Sequence, residues 1–133
     1  MTQVYELTIV DDEVVAAFER LIPQLTAVTP PTKKDLWQMV SSESCRLFMA
    51  RAADGQIAGS AALGLYRTPT GLHAWIEDVV VGHAYRRQGI GEALSRAAIE
   101  AAKEMDENGD GEVSQEEMEK WNDKNLSLSC FFK

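Results

Sequence analysis

Two cysteines, four prolines and no long apolar run mark this sequence of 133 residues, and each shortage excludes a class of protein. Cys45 and Cys130 stand 85 positions apart, so they form neither a metal-type pair nor a disulfide framework. No apolar stretch is long enough to span a bilayer. The opening MTQVYELTIVDDE lacks a basic segment followed by an apolar one, so it does not read as an export signal, and the expected compartment is the cytoplasm. Bases are also scarce. Thirteen lysines and arginines face 21 acids, giving a net charge of −8, and no basic stripe supports a role with nucleic acid or an anionic membrane.

That negative charge is concentrated. Residues 1–102 carry a net −3, residues 103–124 a net −6 and the last nine a net +1. The chain length suits one domain with one core. A short acidic segment of different character is therefore set into or onto an otherwise ordinary globular sequence.

Periodicity gives the elements. Val4 to Val10 alternates loosely and is rich in β-branched residues, which predicts a strand. Asp11 and Asp12 precede Val14, Val15, Phe18, Leu21 and Ile22 at helical spacing, with Pro23 bending or interrupting the helix near its end. Thr32 and Asp35 resemble a capping box and open a second helix. Strands are predicted over 46–52, 56–66 and 72–81, joined by turns at Asp54-Gly55 and Thr68-Pro69-Thr70-Gly71. From Gly89 to Met105 the apolar residues return to a helical period. The order implies an α/β fold with a mixed, mostly antiparallel sheet and helices on both faces.

Chemistry gathers between the fourth strand and the long helix, in IEDVVVGHAYRRQGIGEALSRA. Gly89 and Gly91 let a backbone approach an anion closely, a helix N-terminus follows, and Arg86 and Arg87 add positive charge. The pattern lacks the Gly-Lys-Ser/Thr of a Walker loop and the third glycine of a dinucleotide fingerprint. Without a ligand, the same residues read as a strand-to-helix turn with two solvated arginines. Arg86-Arg87-Gln88-Gly89-Ile90-Gly91 resembles the Arg/Gln-x-x-Gly-x-Gly/Ala motif of the GNAT superfamily of N-acetyltransferases, and the resemblance spans residues 1 to about 105. It implies an acetyl-CoA-binding core over 1–105. Val79, Val80 and Val81 would line the pantetheine arm, and the turn from Arg86 through Arg87, Gln88, Gly89, Ile90 and Gly91 would hold the pyrophosphate. A primary amine, on a small molecule or peptide, would be the acceptor. Glu77, directly or through water, is the candidate base. Adjacent strand residues point to opposite faces, so Glu77 and Asp78 are expected on opposite sides of the sheet. His73, His83 and Tyr85 read as local structural residues.

Residues 106–117, DENGDGEVSQEE, match the EF-hand calcium loop at each diagnostic position. Asp106, Asn108 and Asp110 would supply side-chain oxygens, Glu112 a backbone carbonyl, Ser114 a water-mediated contact and Glu117 two oxygens, with Gly111 allowing the sharp turn. With its flanking helices the resemblance covers about 98–122. Residues 125–133 then read as a displaced fifth strand or as a tail. The resemblance to GNAT enzymes implies further C-terminal elements, so the sheet is expected to be truncated there and its activity reduced. The EF-hand is either inserted into the scaffold or fused to it. The alternative function is a non-catalytic calcium-binding or calcium-sensing protein on an acetyltransferase scaffold. An unpaired EF-hand and an exposed sheet edge both favour a homodimer.

Overall fold

The computed structural model describes residues 2–105 and the short strand at 112–113. The elements run β1 (Gln3–Glu6), α1 (Asp12–Leu25), α2 (Lys33–Ser41), β2 (Cys45–Arg51), β3 (Ile57–Thr68), β4 (Gly71–Val81), a single 3-10 turn (His83–Tyr85), α3 (Ile90–Met105) and β5 (Glu112–Val113). The sheet has the order β1-β2-β3-β4-β5. Its first four strands are antiparallel, and β5 pairs parallel to the start of β4 at His73 and Ala74.

The local signals explain the element ends. Asp11 caps α1 by accepting from the Val14 amide at 2.9 Å. Thr32 and Asp35 close a reciprocal capping box at α2. Pro23 is accommodated within the last turn of α1. The first strand is shorter than the sequence predicts. Its ladder ends at Glu6, while Leu7 still donates to the Leu47 carbonyl at 2.8 Å, and Leu7 and Val10 are buried.

The sheet divides two apolar layers. On one side α3 packs Ile90, Leu94, Ala98 and Ala102 against Leu63, Leu65, Ile76 and Val79. On the other, α1 and α2 cover Leu47, Met49, Ile57 and Val80 with Phe18, Leu21 and Leu36. Gly59 lies beneath Ile90 and Leu94 of α3. A side chain there would lie 2.8 Å from the Val80 carbonyl and 3.2 Å from Leu94. Among the described residues no helix is long and apolar enough to cross a membrane.

The strand beside β4 is formed by Glu112 and Val113, residues the EF-hand reading places at the middle of the calcium loop. The rest of that loop, including Asp106, Asn108, Asp110, Ser114 and Glu117, and the stretch 125–133 lie outside the described residues.

Candidate active site

The decisive local feature is a β-bulge in β4. Val80 pairs with Ser60 and Glu77 pairs with Ala62, so Asp78 and Val79 together oppose Ala61. Asp78 takes a left-handed φ of 52°, a conformation aspartate tolerates better than most residues. The extra residue inverts the alternation of the strand. Before it, Leu72, Ala74 and Ile76 face α3, and after it Val79 and Val81 do. Glu77 and Asp78 therefore both line one cleft on the α1/α2 side, instead of facing opposite layers as strict alternation predicts.

That cleft has a volume of about 670 Å³. Its floor is the sheet, with Cys45, Leu47, Ser60 and Ala62 beside the two carboxylates. Its walls come from Phe18 and Ile22 of α1, the following loop, and Asp35, Leu36 and Met39 of α2. Glu77 is half-buried and Asp78 exposed. Gly64, paired with both Cys45 and Trp75, leaves the floor open beside Glu77; a side chain there would lie 3.5 Å from Glu77 Oε2. Burial pushes the Cys45 thiol pKa up, and the charges of Glu77 and Asp78 push it further. Asp35 is shifted the other way. The backbone amide and hydroxyl of Thr32 hold its carboxyl below the usual aspartate range.

At the end of β4 the chain turns sharply into α3. The Gly82 amide donates to the Ala58 carbonyl at 2.8 Å, and the Tyr85 amide to the Gly82 carbonyl at 2.9 Å. The His83 amide donates to Gln24 Oε1 of α1 at 2.9 Å, and the Tyr85 hydroxyl to Asp54 Oδ2 of the β2–β3 hairpin at 2.7 Å. Arg86 Nε donates to the Val81 carbonyl at 3.0 Å, so this arginine braces the turn from within. Arg87 and Gly89 adopt left-handed φ values of 69° and 78°. A side chain built at Gly89 would meet nothing within 4 Å, so the outer side of the turn is open. An open turn of backbone amides, led by arginines and ending at the N-terminus of a helix of 16 residues, fits a diphosphate.

The sequence-predicted residues thus fall into two groups. Glu77 lies in the cleft, while Val79, Val80 and Val81 end β4 and lead into the turn carrying Arg86 to Gly91. Sequence reading missed Asp35 of α2 and Ser60 and Cys45 of the sheet, which the packing of α2 over the strands brings to one cleft. His73 is held locally, its Nε2 lying 2.8 Å from Thr68 Oγ1 and 3.0 Å from Thr70 Oγ1, with its ring stacked on Tyr66. Among the described residues no cluster of metal-ligating side chains occurs.

This arrangement is that of an acetyltransferase fold. Glucosamine-6-phosphate N-acetyltransferase from Arabidopsis thaliana superposes with a TM-score of 0.69 at 16% identity, covering 100% of this chain and 96% of that one. An acetyltransferase from Trypanosoma brucei gives 0.69 at 19% identity, covering 100% and 97%. Ribosomal-protein-alanine N-acetyltransferase from Brucella melitensis gives 0.64 at 15% identity, covering 100% and 95%. No curated protein sequence matches this chain significantly. The model of the acetyltransferase (GNAT) family matches residues 9–128, and the chain belongs to that family. The match runs through the acidic segment at 106–117.

Proposed function

We propose that this protein transfers an acetyl group from acetyl-CoA to a primary amine held in the cleft between α1, α2 and the sheet. The observation that carries this reading is the bulge at Asp78. It sets Asp78 on the same side as Glu77, so that both carboxylates line the cleft, and it interrupts the β3–β4 ladder opposite Ala61 before pairing resumes at Val80. Acetyl-CoA supplies the activated acyl group. The turn from Arg87 to Gly91 would bind its pyrophosphate, and Val79, Val80 and Val81 would lie along its pantetheine arm. Arg86 contributes by bracing the turn, with its remaining N–H groups available to phosphate oxygens. Strand amides at the bulge polarise the acyl carbonyl. Glu77 accepts the proton that the amine loses as its nitrogen attacks. Glu77→Gln removes the base and nearly preserves shape. It is expected to lower kcat by about 100-fold or more while the KM for acetyl-CoA stays within a few-fold. Thiol release on mixing with acetyl-CoA and a panel of amines reads both. An unchanged kcat excludes Glu77 as the base.

A second reading concerns the acidic segment. Its EF-hand pattern supports calcium binding through Asp106, Asn108, Asp110, the Glu112 carbonyl, Ser114 and Glu117. The adjoining helix α3 would link such a site to the acyl-CoA turn, and an unpaired EF-hand would favour a homodimer. Calorimetric titration of calcium into the full chain is expected to show one site per chain, lost in Asp106→Ala. Heat that is absent, or unaffected by that substitution, refutes the calcium site.

A further inference from the structure

The turn that follows β4 leans on a helix that also belongs to the cleft. The His83 amide donates to Gln24 Oε1 at 2.9 Å, across 59 positions of the chain. Gln24 stands two residues after Ile22, which with Phe18 lines the cleft from the same helix α1. The orientation of its side-chain amide is dictated from both ends. The His83 N–H can only donate, so it takes the oxygen, and the Arg20 carbonyl can only accept, so it takes Nε2 at 3.1 Å.

Further contacts seat the turn on α1. Arg20 Nη2 donates to the Ile57 carbonyl at 2.9 Å, beside Ala58, whose carbonyl receives the Gly82 amide. Gly82 is buried, and a side chain there would lie 3.6 Å from Leu21 of α1. Pro23 has no N–H to give the Glu19 carbonyl, so the last turn of α1 lacks that intrahelical bond. It is closed by Thr26, whose amide donates to the Ile22 carbonyl at 3.0 Å. Gln24 therefore stands where the backbone ladder of α1 is interrupted, and a bond to a neighbouring element carries more weight there.

Resting on the transferase reading above, we propose that Gln24 is a positioning residue for acetyl-CoA, seating the turn from Gly82 to Gly91 on the helix that walls the acceptor cleft. Its bond fixes the backbone of the 3-10 turn at His83. That turn leads through Arg86 to the left-handed residues Arg87 and Gly89, whose amides would meet the phosphates. A loose turn would have to be ordered by its ligand, which lowers affinity, whereas a turn held by Gln24 is ordered beforehand. Gln24 acts through the His83 amide and not on the reacting atoms. Its loss therefore weakens acetyl-CoA binding and leaves the chemical step alone.

The test is calorimetric titration of CoA into the unmodified chain and into Gln24→Met, which keeps the length of the side chain and removes both of its hydrogen bonds. CoA is expected to bind Gln24→Met about fivefold more weakly. With butylamine as acceptor, KM for acetyl-CoA should rise by a similar factor while kcat stays within about twofold, a split that general loosening of the fold would not produce. Equal CoA affinity in the two proteins, or a lowered kcat at unchanged KM, overturns the proposal and leaves the transferase reading standing. No CoA binding to the unmodified chain fails the transferase reading and this proposal with it. Should Gln24→Met fold poorly, hydrogen exchange at the His83 amide of the unmodified chain decides. Exchange slowed by bound CoA sustains the proposal, and exchange that CoA leaves unchanged overturns it.

Discussion

At Asp78 the backbone takes a φ of 52° inside a strand whose other residues are extended. The side chain is exposed, so little packing enforces this geometry; the two-for-one pairing opposite Ala61 does. The residue type matters because asparagine and aspartate tolerate the left-handed region and β-branched residues do not. Asp78→Val is therefore expected to destabilise the fold by about 1–3 kcal/mol, and Asp78→Asn by well under half of that. Urea unfolding of both variants measures the difference. Equal losses would mean that the carboxylate charge, not the backbone, is what the position requires.

Between elements, the turn from Gly82 to Gly91 is held from two sides. Gln24 of α1 accepts from the His83 amide, and Asp54 of the β2–β3 hairpin accepts from the Tyr85 hydroxyl. The second tether titrates at both ends of the pH range. Hydrogen bonds from the Gln56 amide and the Tyr85 hydroxyl lower the Asp54 pKa, so its contribution is present above the unfolded aspartate value and lost as pH falls through the folded one. The same bond to Asp54, with burial, raises the Tyr85 pKa, so that contribution is present below the unfolded tyrosine value and lost as pH rises through the folded one. The stability difference between the natural protein and Tyr85→Phe should be flat through neutral pH. It should shrink below the ordinary aspartate range and again above pH 10, the ordinary tyrosine value. Urea midpoints of the two proteins across pH read this directly, and a difference independent of pH would remove the tether from the account.

Most elements were legible because local signals agreed with their surroundings. The capping box at Thr32, the Asp54-Gly55 hairpin and the small apolar face of α3 each appear where the sequence places them. The candidate turn was legible for the same reason, since glycines, arginines and a helix start are contiguous in the chain. The bulge was not. A period of two carries no mark of an inserted residue, so Glu77 and Asp78 read as facing opposite ways. The cleft around Asp35, Ser60 and Cys45 depends on how α1 and α2 pack over the sheet, which periodicity does not encode. The strand at 112–113 was hidden by a stronger local pattern, since those two residues also complete a calcium-loop motif.

For the whole molecule, the two apolar layers divide the work. The α3 layer fixes the turn from Arg86 to Gly91 to the sheet, and the α1/α2 layer shapes the cleft in which an acceptor would lie. Strand β4 belongs to both, because its bulge exchanges the faces of its side chains midway along. Ligand at the turn and amine in the cleft would thus meet at one strand, which is the geometry a direct transfer needs.

The account turns on whether that turn binds acetyl-CoA, and calorimetric titration tests it most directly. Gly89 is the informative variant, because its φ of 78° suits glycine while a side chain there would touch nothing. Saturable binding with one acetyl-CoA per chain is predicted, retained in Glu77→Gln and weakened about tenfold or more in Gly89→Val, whose branched side chain resists the left-handed backbone by more than 1 kcal/mol. No binding to the unmodified chain, or equal binding by Gly89→Val, would contradict the account.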